Sequence, residues 1–289
     1  MYRRTACIAL LVLCGLMSSC VRTSTVVKMN MDGSGEIISR YYFSPQVLAL
    51  IEQYEGAGAA AADGPLGNLG VMRGLVMPDM ETLEKDSSKY GEGVSYLRHE
   101  VGKDDGGWRG YTVLYHFDDI RQIRIDKHSL PGAAKEYVEA SGQTLDEKEG
   151  GSLTFTLEED VLTIHSTMAS AGVSELVDQK QIDQAKQMGM KPSDTLPMAA
   201  GATQGMRIGI FVRVEGEVEE TSAKHSTGNL IIISDTEVSK VMQDPDFARF
   251  IDQAAEDPES VTEESLKDLF QNIEAMTIEL EDQVTIKFK

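Results

Sequence analysis

Apolar and polar positions alternate along much of this chain with the period of strands. Val27, Met29 and Met31 alternate with Lys28 and Asn30, which predicts a half-buried strand. Asp32-Gly33-Ser34-Gly35 supplies turn chemistry and residues 37–43 resume the extended pattern, so a first hairpin is expected. Ser44 then caps a helix with Pro45 at its first position and Val47, Leu48, Ile51 and Tyr54 on one face. A second hairpin pairs 94–101 with 108–117 across Lys103-Asp104-Asp105-Gly106-Gly107, and Tyr111, Val113, Tyr115 and Phe117 share a face. A third joins Leu153, Phe155 and Leu157 to Leu162 and Ile164. Ile208, Ile210, Val212 and Val214 form a cleanly alternating strand that Val218 continues past Gly216, and 230–233 is a short apolar strand of the buried type.

Helical periodicity dominates later. Ser234-Asp235-Thr236-Glu237 reads as a capping box ahead of Val238, Val241 and Met242. Asp244-Pro245 opens a second helix with Phe247, Phe250, Ile251 and Ala254 facing inward, and Thr262 starts a third carrying Leu266, Leu269, Phe270 and Ile273. Met276, Ile278, Leu280, Val284, Ile286 and Phe288 share one parity, as in one long strand or a hairpin bent near Asp282. Hairpins in place of strand–helix alternation predict an α+β fold, with a mostly antiparallel sheet and helices near the C-terminus packed on one face. Segments 23–55 and 276–289 are expected to be sheet neighbours. No glycine fingerprint follows a strand, which disfavours a parallel dinucleotide-binding sheet.

The first twenty residues, MYRRTACIALLVLCGLMSSC, have another character. Arg3 and Arg4 precede an apolar run too short to span a bilayer, and two small residues then lead to Cys20. Met17-Ser18-Ser19-Cys20 resembles the lipobox of bacterial lipoprotein signal peptides, with Met where Leu is usual. An ordinary cleaved signal and an uncleaved signal anchor are the alternatives. The resemblance implies a diacylglyceryl thioether on Cys20, cleavage after Ser19 and further acylation of the new amino group, commonly with palmitate. Two or three acyl chains anchor durably where one does not. It divides the chain into a signal peptide at 1–19, a lipidated tether at 20–22 and a single ectodomain at 23–289. Val21, where an Asp would mark inner-membrane retention in a Gram-negative cell, favours the outer membrane with the domain facing the periplasm. A Gram-positive cell surface is the other setting.

Composition narrows the function further. All three cysteines lie in those twenty residues, and cleavage leaves only the acylated Cys20. A disulfide framework, a Cys-ligated zinc and a thiol nucleophile are thereby excluded. With 47 acidic against 27 basic residues and a formal charge of −20, the chain is no partner for nucleic acid. The same excess disfavours wrapping of the whole domain onto anionic headgroups.

Several motifs suggest chemistry, each beside a plainer account. Asn30, Asp32 and Ser34 are spaced as in the start of an EF-hand loop, but Tyr41 stands where the loop needs a bidentate Glu, and a hairpin turn explains the same residues. His99 and His116 fall on paired strands, where a cross-strand metal site is conceivable and solvent-face histidines are the ordinary outcome. Trp108 with Tyr111 and Tyr115 offers a stacking platform, or simply packing. No nucleophile elbow, phosphate loop or Ser/Lys signature occurs, so neither a catalytic residue nor a cofactor is expected and the domain reads as non-enzymatic. Residues 56–70 (GAGAAAADGPLGNLG) and 188–206 (MGMKPSDTLPMAAGATQGM) have the composition of flexible surface loops. Methionine gives adaptable apolar surface, so Met188, Met190, Met198 and Met206 join Trp108 as ligand-binding candidates around a mouth.

Beyond the signal, residues 26–35 and the run from 208 through Glu215-Gly216-Glu217-Val218-Glu219-Glu220-Thr221 to 233 resemble LppM-type lipoprotein domains. Glu215-Gly216 replaces that family's Pro-Gly, and its later-strand Trp is absent. The resemblance implies a membrane-tethered domain able to hold lipid-like ligands. Two functions are therefore expected as alternatives. One is a carrier or sensor of an apolar or amphipathic ligand held between sheet and C-terminal helices. The other is an interaction module docking another cell-envelope protein through a sheet edge or the 188–206 loop.

Overall fold

The computed structural model describes residues 21–55, 76–104, 106–126, 151–167, 191–257 and 260–289. The expected signal peptide, Cys20, the 56–70 loop, Met188 and Met190 lie outside the described residues. Along the chain run β1 (Val21–Met29), β2 (Gly35–Phe43), α1 (Pro45–Glu55), α2 (Met80–Asp86), β3 (Ser95–Lys103), β4 (Arg109–Phe117), β5 (Arg124–Asp126), β6 (Ser152–Glu158) and β7 (Val161–Ser166). A single 3-10 turn, Pro192–Thr195, leads into α3 (Leu196–Ala202). Then follow β8 (Arg207–Val214), β9 (Val218–Thr221), β10 (Ser226–Thr227), β11 (Leu230–Glu237), α4 (Val238–Val241), α5 (Pro245–Glu256), α6 (Glu263–Asn272), β12 (Met276–Ile278) and β13 (Gln283–Phe288).

The three expected hairpins form, β1–β2, β3–β4 and β6–β7, each an antiparallel pair. The first two hairpins join through β2 and β4, whose close approach is enforced at Gly110, where a Cβ would lie 1.9 Å from the Tyr41 carbonyl oxygen. One sheet has the order β10-β11-β8-β1-β2-β4-β3, with β12 also on β11, and the other the order β5-β6-β7-β13-β9. Every pair is antiparallel except β1 with β8, which run parallel from Arg22/Arg207 to Met29/Val214. The fold is thus α+β and antiparallel-dominated, with several helices near the C-terminus.

Alternation explains the core. Val27 and Met29, Ile37, the Tyr111–Phe117 face, Val212 and Val214 from the first sheet share one buried cluster with Leu153, Phe155, Leu162, Ile164, Val284, Ile286 and Phe288 from the second. Each such side chain contributes about 1.5–3 kcal/mol of transfer free energy. The C-terminal helices have a core of their own, in which Val241, Phe247, Ile251, Leu266, Leu269, Phe270, Ile273 and Leu280 pack together.

Five expectations are corrected. β1 starts at Val21, so two of the three residues assigned to the tether belong to the sheet. Val218 does not prolong β8: after Glu215 donates its N–H to the Met29 carbonyl, the chain turns and β9 joins the second sheet. Ser234-Asp235-Thr236-Glu237 is no capping box, because β11 runs through it, pairing with β8 on one side and, over 234–236, with β12 on the other. The C-terminal run of single parity is two strands in different sheets. Hence 23–55 and 276–289 are not strand neighbours; β1 lies between β2 and β8.

Candidate functional site

The 191–203 segment and the α4–α5 junction meet as two walls of a groove. On one side Pro192 starts the 3-10 turn and Pro197 the first turn of α3, where a missing N–H costs nothing. That wall is fastened to α5 through Ser193, whose N–H and Oγ donate to the two carboxylate oxygens of Asp252 at 3.0 and 2.7 Å. On the other side Asp244 caps α5, accepting from the N–H groups of Asp246 and Phe247, with Pro245 first in the helix. The groove between them holds about 380 Å³. Leu196, Pro197, Met242, Pro245 and Ala248 supply its apolar lining, and Ser193, Gln243 and Asp244 its polar lining. Thr203 Oγ1 donates to the Ala199 carbonyl at 2.9 Å and lies 3.6 Å from the Met242 sulfur, bringing Met242 against the end of α3.

Of the expected ligand residues, Met198 stands out from α3 beside this groove, 67% exposed, and Met206 is half-buried with its carbonyl accepting from Val238 N–H. Neither lines it; the methionine that does is Met242. Trp108 is not a stacking platform, being only 6% exposed. The Arg22 guanidinium sits 4.0 Å over its ring, and a Cβ on Gly205 would come within 2.8 Å of its edge. Arg22 also donates to Asp104 at 2.8 Å and to the Gly205 carbonyl at 3.0 Å, while Asp104 accepts from Trp108 N–H at 2.8 Å. Tyr111 and Tyr115 lie fully inside the core, away from this cluster.

Those core tyrosines form a polar patch of their own. The hydroxyls of Tyr90 and Ser39 are 2.8 Å apart and those of Tyr41 and Tyr90 3.4 Å, with Lys89 poised over the Tyr90 ring. Burial, followed by the neighbouring tyrosines, pushes the phenols of Tyr41 and Tyr115 far above their ordinary value. Burial does the same at Tyr111, with Asp86 next in importance, and among the described residues its hydroxyl has no hydrogen-bond partner.

The metal-like patterns resolve into structure. His99 pairs across to Val113 and His116 to Ser95, three residues apart on β4 and therefore on opposite faces of the sheet. His99 Nδ1 lies 2.8 Å from the Tyr96 hydroxyl, and His116 Nε2 lies 3.1 Å from Asp118. In the 30–35 turn Asp32 accepts from the hydroxyl and the N–H of Ser34, which hold its carboxyl below the usual range, and Asn30 donates to Ser34 Oγ. Gly33 supplies the positive φ this hairpin turn needs. Among the described residues no group of three or more His, Cys, Asp or Glu is arranged to hold a metal, and no helix is long and apolar enough to cross a membrane.

One wall of the groove, at 193–197, falls within the 188–206 stretch singled out from its composition, but the other, fifty residues on, escaped sequence reasoning. Asp244-Pro245 and Met242 were legible only as parts of helices. No family model and no curated protein matches the chain. Among solved structures, the folded domain of the LppM protein of Mycobacterium tuberculosis, determined by NMR, is a weak neighbour. It is similar over 74% of this chain and 81% of its own, at 9% identity and a TM-score of 0.27. It is a lipoprotein domain of the kind that residues 26–35 and 208–233 resemble, and a likeness this loose says nothing of what the chain does.

Proposed function

We propose that this chain is a membrane-anchored bacterial lipoprotein, acylated on Cys20, whose exported domain binds an apolar or amphipathic, lipid-like ligand without catalysis. The observation that carries the ligand reading is the groove between α3 and the α4–α5 junction, lined by five apolar residues and three polar ones. Its volume of about 380 Å³ falls at the lower end of small-molecule sites, and its lining suits one apolar chain with a polar head. On this reading the ligand lies among the helices rather than between sheet and helices, where the sequence suggested it. Membrane anchoring rests on the Met17-Ser18-Ser19-Cys20 lipobox.

Native mass spectrometry of a soluble form, residues 21–289, tests the ligand reading with a palmitoyl lysophospholipid. A one-to-one adduct is expected, and Leu196→Asp, which sets a charge on the groove wall, is expected to abolish it. Bare protein throughout, or an adduct indifferent to Leu196→Asp, sinks this reading.

A second reading, docking of another envelope protein by strand addition, draws on β3, which pairs only with β4 among the described strands and exposes Leu97 and Val101. However, a bulge at Leu97 and the charges of Arg98, Glu100 and Lys103 are the usual devices that discourage edge pairing. The ligand reading is therefore preferred.

A further inference from the structure

We infer that the end of the eight-stranded sheet carrying Val21, Phe43, Arg109 and Arg207, with α3 beside it, is the surface that lies against the phospholipid bilayer. This rests on the reading of Cys20 as the acylated residue. The geometry adds which face follows. Consecutive Cα atoms are about 3.8 Å apart, and Val21 is already the first residue of β1, hydrogen-bonded opposite Phe43. Arg22 is locked by Asp104, Gly205 and the Trp108 ring. No slack separates the acyl chains from the folded sheet, so a domain held at Cys20 is held by this end.

Register fixes what else is there. Val21 pairs with Phe43, Phe43 with Arg109, Arg109 with Lys103, Arg22 with Arg207 and Arg207 with Glu237. The groove belongs to the same end: Arg22 holds the carbonyl of Gly205, and Thr203, two residues earlier, touches Met242. Met198 and Ile208 offer exposed apolar side chains here. Cations at this end are matched by acids, as in Arg22–Asp104, Arg109–Glu52 and Arg207–Asp235. The far end gathers Asp32, Asp118, Glu158, Glu215 and Glu217, of which Glu215 and Glu217 are paired with Lys28 and Lys289, so charge alone does not separate the ends and the covalent link at Cys20 decides. A nine-residue strand separates the two ends by roughly 30 Å. Seated this way, the groove opens at headgroup level and an amphipathic ligand passes between bilayer and protein without crossing water.

The test uses the full chain, processed in cells and reconstituted into vesicles of phosphatidylethanolamine and phosphatidylglycerol. Because an acylated Cys20 leaves no other thiol in the mature chain, Met198→Cys and Met31→Cys each give one labelling site. These positions are 67% and 47% exposed, at the near and far ends respectively. A fluorophore at 198 is expected to be quenched several-fold more strongly by headgroup-proximal nitroxide lipids than one at 31. Equal quenching, stronger quenching at 31, or none at either site on acylated protein overturns the orientation alone. An intact mass without acyl chains on Cys20 overturns the lipoprotein reading and this inference with it.

Discussion

Replacing Arg22 by alanine removes three interactions at once, and their sizes follow from the surroundings. The side chain is 41% exposed, so its ion pair with Asp104 at 2.8 Å belongs to the surface class, about 0.2–1 kcal/mol. The guanidinium 4.0 Å over Trp108 adds about 0.5–1 kcal/mol. Its hydrogen bond to the Gly205 carbonyl is a further contribution of about 1 kcal/mol. Asp104 keeps Trp108 N–H, and the Gly205 carbonyl that loses its donor is only part-buried and open to water. Arg22→Ala is therefore expected to cost about 2 kcal/mol, roughly a thirtyfold change in the folded-to-unfolded ratio. Urea unfolding of residues 21–289 reads this directly, because Trp108 is the only tryptophan and lies at the perturbed contact. The midpoint falls while the slope stays unchanged. In 1 M salt, where the Debye length is about 3 Å, the ion-pair share shrinks and more than half of the loss persists. A loss below about 0.5 kcal/mol, or one abolished by salt, refutes the idea that Arg22 clamps Trp108 rather than merely pairing with Asp104.

Three further outcomes follow from the packing. Gly110→Ala drives a methyl into the Tyr41 carbonyl, where backbone cannot yield, and costs about 3 kcal/mol or more; an unchanged melting temperature contradicts the β2–β4 register. Tyr41, Tyr111 and Tyr115 have folded pKa values raised above an unfolded value near 10, so the unfolded chain loses their protons first. Their contribution is complete below pH 10 and declines above it, and ultraviolet titration should show these phenols ionising only as the fold melts. Normal ionisation near pH 10 in folded protein sinks that account. Thr262→Ala deletes the α6 cap, at about 1 kcal/mol, and raises amide exchange in the helical unit while β1, β2 and β4 keep their protection; equal loosening everywhere denies the helices a separate core.

Local patterns were readable where the partner is close in sequence. Turn chemistry at 32–35 and 103–107 specified the first two hairpins, and Ser44, Asp244 and Thr262 marked helix starts that the structure keeps. What failed was pairing at a distance. A period of two identifies a strand but not its sheet, so Val218 and the run from Met276 to Phe288 were assigned to the wrong neighbours. Ser234 to Glu237 has the letters of a cap, yet two flanking strands claim those backbone groups. The groove was half hidden for the same reason: serine, leucine and proline at 193–197 stood in a loop whose composition drew notice, but they gain a partner only at 242–248.

The arrangement of β1 also governs the order in which the molecule can form. β1 is the earliest strand and sits in the middle of its sheet, with β2 arriving at once but β8 only at residues 207–214. β13, nearly the last segment, is likewise interior, between β7 and β9. A chain emerging from its N-terminus thus carries one uncovered edge on β1 for most of its passage and cannot complete its second sheet until the end. Such high contact order makes for slow folding and leaves strand edges open to other chains meanwhile. Shortening the chain by its last seven residues therefore removes an inner strand, and two neighbours lose their partner at once.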